Sequence, residues 1–107
     1  MTTFDNREKA FEAQYALDQD QEFRAQARRN RALGRWAGEL MGLSGEALDA
    51  YAQTVVKSDF KEAGDEDVFQ KVVADLAEKD VDILPHAVRE RMNALLSEAR
   101  AEIKAGQ

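Results

Sequence analysis

The sequence predicts an all-α protein, a small four-helix bundle with a long first helix. Three observations predict it. Apolar residues recur at spacings of three and four along nearly the whole chain, with no competing run of period-two alternation. A single proline, Pro85, stands among abundant alanine, leucine, glutamate and arginine. Glycines and capping residues divide the periodic pattern into four segments of bundle-helix length. At 107 residues, 44% hydrophobic and 34% charged, the chain is one domain with one modest core.

In the first segment, Phe4, Phe11 and Tyr15 share a helical face at spacings of seven and four, flanked by Asp5, Arg7, Glu8, Lys9 and Glu12. The periodicity continues through Phe23, Leu33, Trp36, Ala37 and Leu40, with no glycine before Gly34. A helix from about Asp5 to Met41 would be roughly 55 Å long at 1.5 Å per residue. A compact domain of this size has a radius of gyration of about 13 Å, so about half of that helix overhangs the body. Residues 1–20 are therefore expected to form an exposed arm, frayed or disordered when free, ahead of a bundle over 21–107. The packed half of the helix is expected over 21–41, with Gly42 as its stop.

Ser44 reads as the N-cap of the second helix, 45–62, whose Leu48, Tyr51, Ala52, Val55, Val56 and Phe60 keep the 3.6 period. Gly64 ends it. Asp65 caps the third helix, 66–79, with Glu66 and Asp67 suited to the helix dipole and Val68 or Phe69, Val72, Val73 and Leu76 turned inward. A turn over 80–84 carries Val81 and Ile83 as apolar plugs. Pro85 then opens the last helix, 85–104, at the first helical position, where a missing N–H costs nothing. That helix offers Val88, Met92, Leu95, Leu96, Ala99 and Ile103. The short loops suit antiparallel neighbours.

The composition excludes several classes of function. With no cysteine there is no disulfide framework, thiol nucleophile or thiolate metal site. His86 is the only histidine, and no phosphate-cradling glycine loop or catalytic triad pattern surrounds it, so no enzyme is expected. Asp65/Asp67 and Asp80/Asp82 do not open a calcium loop and read as capping or solvated charges, so no metal is expected. The net charge of −6 disfavours nucleic acid and anionic lipid. No secretory signal or apolar run near 18 residues is present, so a cytoplasmic, soluble chain is expected, without membrane insertion. No long heptad seam argues for a coiled-coil dimer, and a monomer is expected for the free protein.

Two features suggest binding. Burial of the arm's three aromatic rings would release about 5–9 kcal/mol, at roughly 1.5–3 each. Ordering the segment would take back about 2–5 kcal/mol. That surplus suits a reversible, regulatory contact in a partner's groove, with folding back onto the bundle as the competing reading. The second feature is a basic stretch with five arginines, at 24, 28, 29, 31 and 35, and no acid, so the remainder of the chain carries −11. Arg24, Arg28, Arg31 and Arg35 share a face that suits a phosphate, a nucleotide or an acidic partner. Pairing with acids of neighbouring helices, among them Asp59, Glu62, Asp65, Glu66 and Asp67, is the competing reading. Gly34, Gly38 and Gly42, four apart, point to close helix–helix approach beside Trp36 rather than to membrane dimerisation, which Arg35 and Glu39 exclude.

Several stretches carry a resemblance. They are Thr2-Thr3-Phe4-Asp5-Asn6-Arg7-Glu8-Lys9-Ala10 and Ala27-Arg28-Arg29-Asn30-Arg31-Ala32-Leu33-Gly34-Arg35-Trp36-Ala37, followed by Gly42-Leu43-Ser44-Gly45-Glu46, Val55-Val56-Lys57-Ser58-Asp59-Phe60 and Gly64-Asp65-Glu66-Asp67-Val68. In this order they resemble the zeta subunit of alphaproteobacterial F-type ATP synthases, over essentially the whole chain. The resemblance implies a four-helix bundle whose N-terminal segment inhibits ATP hydrolysis sterically. It implies as partner the catalytic sector of the synthase, with the arm folding as a helix at an interface of the large alpha and beta subunits near the central stalk. The subunit would then be cytoplasmic and peripheral on the membrane-bound enzyme, without a cofactor.

Carried over by position, Phe4, Phe11 and Tyr15 are the implied apolar anchors, with Arg7, Glu8, Lys9 and Glu12 on their flanks. Tyr15 stands where many relatives have Phe, and Leu17 where they have a polar residue or His, which removes a pH-sensitive group. Leu84-Pro85 replaces a more usual serine cap. The competing function is a nucleotide sensor or helical adaptor using the Arg24, Arg28, Arg31 and Arg35 face, with weak ATP or ADP binding and without strong inhibition.

Overall fold

A computed structural model describes residues 18–59 and 65–106. The described chain is all-helical, with α1 over Gln19–Leu40, α2 over Gly45–Ser58, α3 over Glu66–Glu78 and α4 over Pro85–Lys104. These are the four expected helices, in the expected order.

The boundaries follow from local chemistry. α1 begins with a capping box: Asp18 is extended (φ −69°, ψ 172°), its carboxylate accepts from the Gln21 backbone N–H, and the Gln21 side chain accepts from the Asp18 N–H. The part of the expected helix upstream of Asp18 lies outside the described residues. The Asp18-Gln19-Asp20-Gln21 pattern, a carboxylate followed three residues later by a glutamine, is the signal that the longer periodicity obscured. At the other end, Gly42 (φ +87°) takes the left-handed position, the Leu43 N–H donates to Gly38 O and the Gly42 N–H to Glu39 O, which is a Schellman stop.

α2 ends at Ser58, four residues before the expected boundary. The Ser58 hydroxyl donates back to Val55 O, and the Asp59 carboxylate is held by the Asn30 amide of α1 instead of facing the helix's own negative end. Phe60, Glu62 and Gly64 lie outside the described residues. Ser44 and Asp65 occupy the expected cap positions, but neither side chain makes the capping hydrogen bond. α3 closes on Asp80, which adopts φ +58° so that the Val81 N–H reaches Leu76 O and the Asp80 N–H reaches Ala77 O. That places Val81 and Ile83 against the core, and Pro85 opens α4 as expected.

α1 is the central element. α2 and α4 pack on its two flanks, α3 closes the body opposite, and among the described residues no Cα of α2 comes within 8 Å of one in α4. The main core joins Leu33 and Ala37 of α1, Val55 of α2, Val68, Val72 and Leu76 of α3, and Val88 and Met92 of α4. A second, smaller cluster of Ala25, Ala99 and Ile103 joins only α1 and α4. The α1–α4 pair therefore extends about 15 Å beyond the level of Arg29 and Asn30, where Asp59 and Asp65 are bonded to α1.

The close approach expected for the glycines is made against α2. A Cβ on Gly34 would lie 2.7 Å from the Ala52 backbone Cα, and one on Gly38 would meet Leu48. Trp36 faces the other flank, beneath the Arg91 guanidinium of α4 at 5.2 Å.

Candidate functional site

The partner-binding residues expected on the arm, Phe4, Arg7, Glu8, Lys9, Phe11, Glu12 and Tyr15, lie outside the described residues. What the structure describes is the edge of the bundle that begins at Asp18. Asp18 closes the capping box there. One turn further, Glu22 accepts two hydrogen bonds from Arg100 of α4, at 3.0 and 2.6 Å. The Arg100 hydrogen bond holds the Glu22 carboxyl below its ordinary range, against the opposing effect of burial, and the same bond raises Arg100. This fork clamps the first turn of α1 to the last turns of α4, so the bundle has its own fixed N-terminal edge.

The basic stretch divides into three. Arg24 and Arg31 are exposed on the outer face of α1, and neither forms an ion pair with another described residue. Arg28 bonds Glu102 of α4 at 3.0 Å, and Arg35 bonds Asp49 of α2. The four arginines do share a face, and the two that are paired tie that face to its neighbours on either side.

Arg29, the fifth, turns the opposite way and is buried, with a side chain wholly inaccessible to solvent. Its Nη2 donates to Asp65 at 2.7 Å and its Nε to the Asn30 side-chain oxygen at 2.6 Å. Asn30, also fully buried, passes its own amide hydrogens to Asp59 at 3.0 Å. The network grips the chain on both sides of the α2–α3 connection and fastens it to α1. Asp65, expected as a helix cap, serves instead as the counter-ion of a buried guanidinium. The pair falls within the competing reading, in which the basic stretch pairs with acids that include Asp65, but Arg29 was not singled out there as the buried arginine because attention lay on the stripe at 24, 28, 31 and 35. The signal was the residue's place in the apolar row Ala25, Leu33, Ala37 at intervals of four.

At the far end of the body, the Tyr51 hydroxyl donates to Asp75 at 2.8 Å and Lys71 bonds the same carboxylate at 2.9 Å. Burial first, and then the bond to Asp75, push the Tyr51 phenol well above its ordinary value, so it stays a neutral donor. His86 is exposed and contacts Glu90 at 2.9 Å. Among the described residues no group of three or more His, Asp or Glu side chains is placed to hold a metal ion. No helix among them is long and apolar enough to cross a membrane.

Fold and site together define a class: a small all-helical body whose described polar clusters fasten helices to one another, with a segment of chain preceding its capped edge. The chain belongs to the ATPase inhibitor subunit zeta family, whose family model matches residues 1–102. It is accordingly a regulatory, non-enzymatic subunit, and membership implies binding to the F-type ATP synthase and inhibition of it. One solved structure, described as the solution NMR structure of a protein, is 42% identical, with a TM-score of 0.69 over 80% of this chain and 98% of its own. No curated protein matches the chain.

Proposed function

We propose that the chain blocks ATP hydrolysis by inserting residues 1–20 at a catalytic interface between the alpha and beta subunits of the synthase, near the central stalk. Phe4, Phe11 and Tyr15 anchor the segment in an apolar groove, and Arg7, Glu8, Lys9 and Glu12 make polar contacts at its rim. The arm folds as a helix on binding and jams rotation in the hydrolytic direction, while synthesis expels it. The chain acts from the cytoplasm, peripheral to the membrane.

One observation carries this reading: the bundle closes itself at Asp18. A helix with its own capping box and its own clamp to α4 needs nothing upstream to satisfy its first N–H groups. The capping of α1 therefore does not call on residues 1–17, and the family match begins at residue 1 and takes them in. Two fragments test it. A peptide of residues 1–20 inhibits ATP hydrolysis, and a fragment of residues 18–107, which keeps the cap, folds and does not. Equal inhibition by both sinks the arm mechanism.

A further inference from the structure

We propose that the outer face of α1 is a second contact with the synthase, a basic ridge on which Arg24 and Arg31 dock an acidic protein surface. The inference rests on the inhibitor reading and adds to it a place for the bundle, which the arm mechanism leaves hanging.

The geometry comes from the ion pairs. Of the four arginines on this face, Arg28 is committed to Glu102 and Arg35 to Asp49, and those two bonds lie toward opposite flanks, α4 and α2. Arg24 and Arg31 stay exposed, without an ion pair among the described residues. Seven residues apart, they sit two turns from each other, about 10 Å along the helix. That separation is too wide for both guanidinium forks to close on one phosphate. It matches two carboxylates two turns apart on a helix laid along α1, each taken by one fork. No buried polar group or cavity among the described residues backs this face, so it is a docking ridge rather than a small-molecule pocket.

The charge distribution selects the same kind of partner. Outside the stretch 24–35 the chain carries −11. The net negative charge of the remainder disfavours an acidic partner, so the orientation that presents this ridge is the favoured one and the ridge orients the encounter. Two weak contacts joined by a short connection also reinforce each other, because binding of the arm raises the effective concentration of the ridge at its site.

The test is inhibition of ATP hydrolysis by the F-type synthase at 50 and 200 mM KCl. It compares the full chain, Arg24→Gln/Arg31→Gln, Arg24→Lys/Arg31→Lys and the 1–20 peptide. The Gln variant is expected to need about 3–10 times more protein for half-inhibition at the lower salt, with the gap narrowing at the higher salt as rim charges are screened. The Lys variant is expected to recover most of the loss, and the peptide to show little dependence on salt. Circular dichroism and melting of the Gln variant should match the wild type, since neither arginine holds the described fold. A Gln variant equal to wild type at both salts, while the peptide still inhibits, overturns the ridge and leaves the arm standing. A peptide that fails while the full chain still binds with this salt dependence overturns the arm and leaves the ridge.

Discussion

Replacing Asp65 by alanine removes the carboxylate bonded to Arg29, whose side chain is wholly buried, while Asp65 itself is 37% exposed. The two ends of this ion pair are therefore unequal, and so are the consequences of losing each. Without Asp65 the guanidinium stays in the interior with, among the described residues, only the Asn30 oxygen to satisfy it, and one of its nitrogens, Nη1, already has no partner among them. Stranding a buried charge in this way costs about 3–5 kcal/mol. The remaining Asn30 bond places Asp65→Ala near the lower end, at about 3 kcal/mol. The reverse change, Arg29→Met, returns Asp65 to water, removes the orphaned Nη1, and leaves the Asn30 oxygen without its donor, for about 1–2 kcal/mol. A domain of this size is stable by about 5–15 kcal/mol, so both variants fold and both can be measured. In urea titrations followed by circular dichroism at 222 nm, Asp65→Ala should lose clearly more stability than Arg29→Met. If Arg29→Met is the more damaging of the two, packing of the arginine's aliphatic stem and not its buried charge governs the site, and the reasoning fails.

Other perturbations follow from the same contacts. Gly34→Ala places a Cβ 2.7 Å from the Ala52 backbone; overpacking of about 1–3 kcal/mol outweighs the helix-propensity gain of about 1 kcal/mol, so thermal melting should show a net loss. Asp18→Ala removes the capping box and should destabilise the bundle by about 1 kcal/mol, with hydrogen exchange rising first in the opening turn of α1. The Glu22 carboxyl is lowered in the folded state, chiefly by Arg100, so its contribution is present above the ordinary carboxylate value of 4.5 and is lost as pH falls below it. Glu22→Gln should therefore flatten the acid limb of the stability curve, by less than about 1 kcal/mol because the pair is partly solvated. Tyr51→Phe leaves Asp75 paired with Lys71 and should cost about 1 kcal/mol, read from urea midpoints.

Much of the fold was legible because its determinants are local. Gly42, Pro85 and the apolar rows of α3 and α4 mark elements by backbone freedom, a missing donor and periodicity, and each stands where it was expected. What the sequence concealed was non-local or overlaid. The end of α2 is set by Asn30, nearly thirty residues upstream, and Asp65 is drawn from its cap by Arg29 across the body; neither bond leaves a trace in the neighbouring residues. The cap at Asp18 was local, in the spacing of Asp18 and Gln21, but the aromatic period running past it drew attention away from that signal. For the candidate site the stripe of four arginines was visible as a face, whereas which of them would be paired depended on where Glu102 and Asp49 came to lie. The arm's residues 1–17 remain a reading of pattern and family.

The central claim is that the aromatic face of the arm carries inhibition, and ATP hydrolysis by the F-type synthase of the same organism tests it most directly. The assay titrates the full chain against a Phe4→Ala/Phe11→Ala/Tyr15→Ala variant, with binding to the enzyme followed in parallel by co-sedimentation. Inhibition by the wild type that is lost in the triple variant, while the variant's bundle melts normally, is the predicted result. A triple variant that inhibits as strongly as the wild type contradicts it.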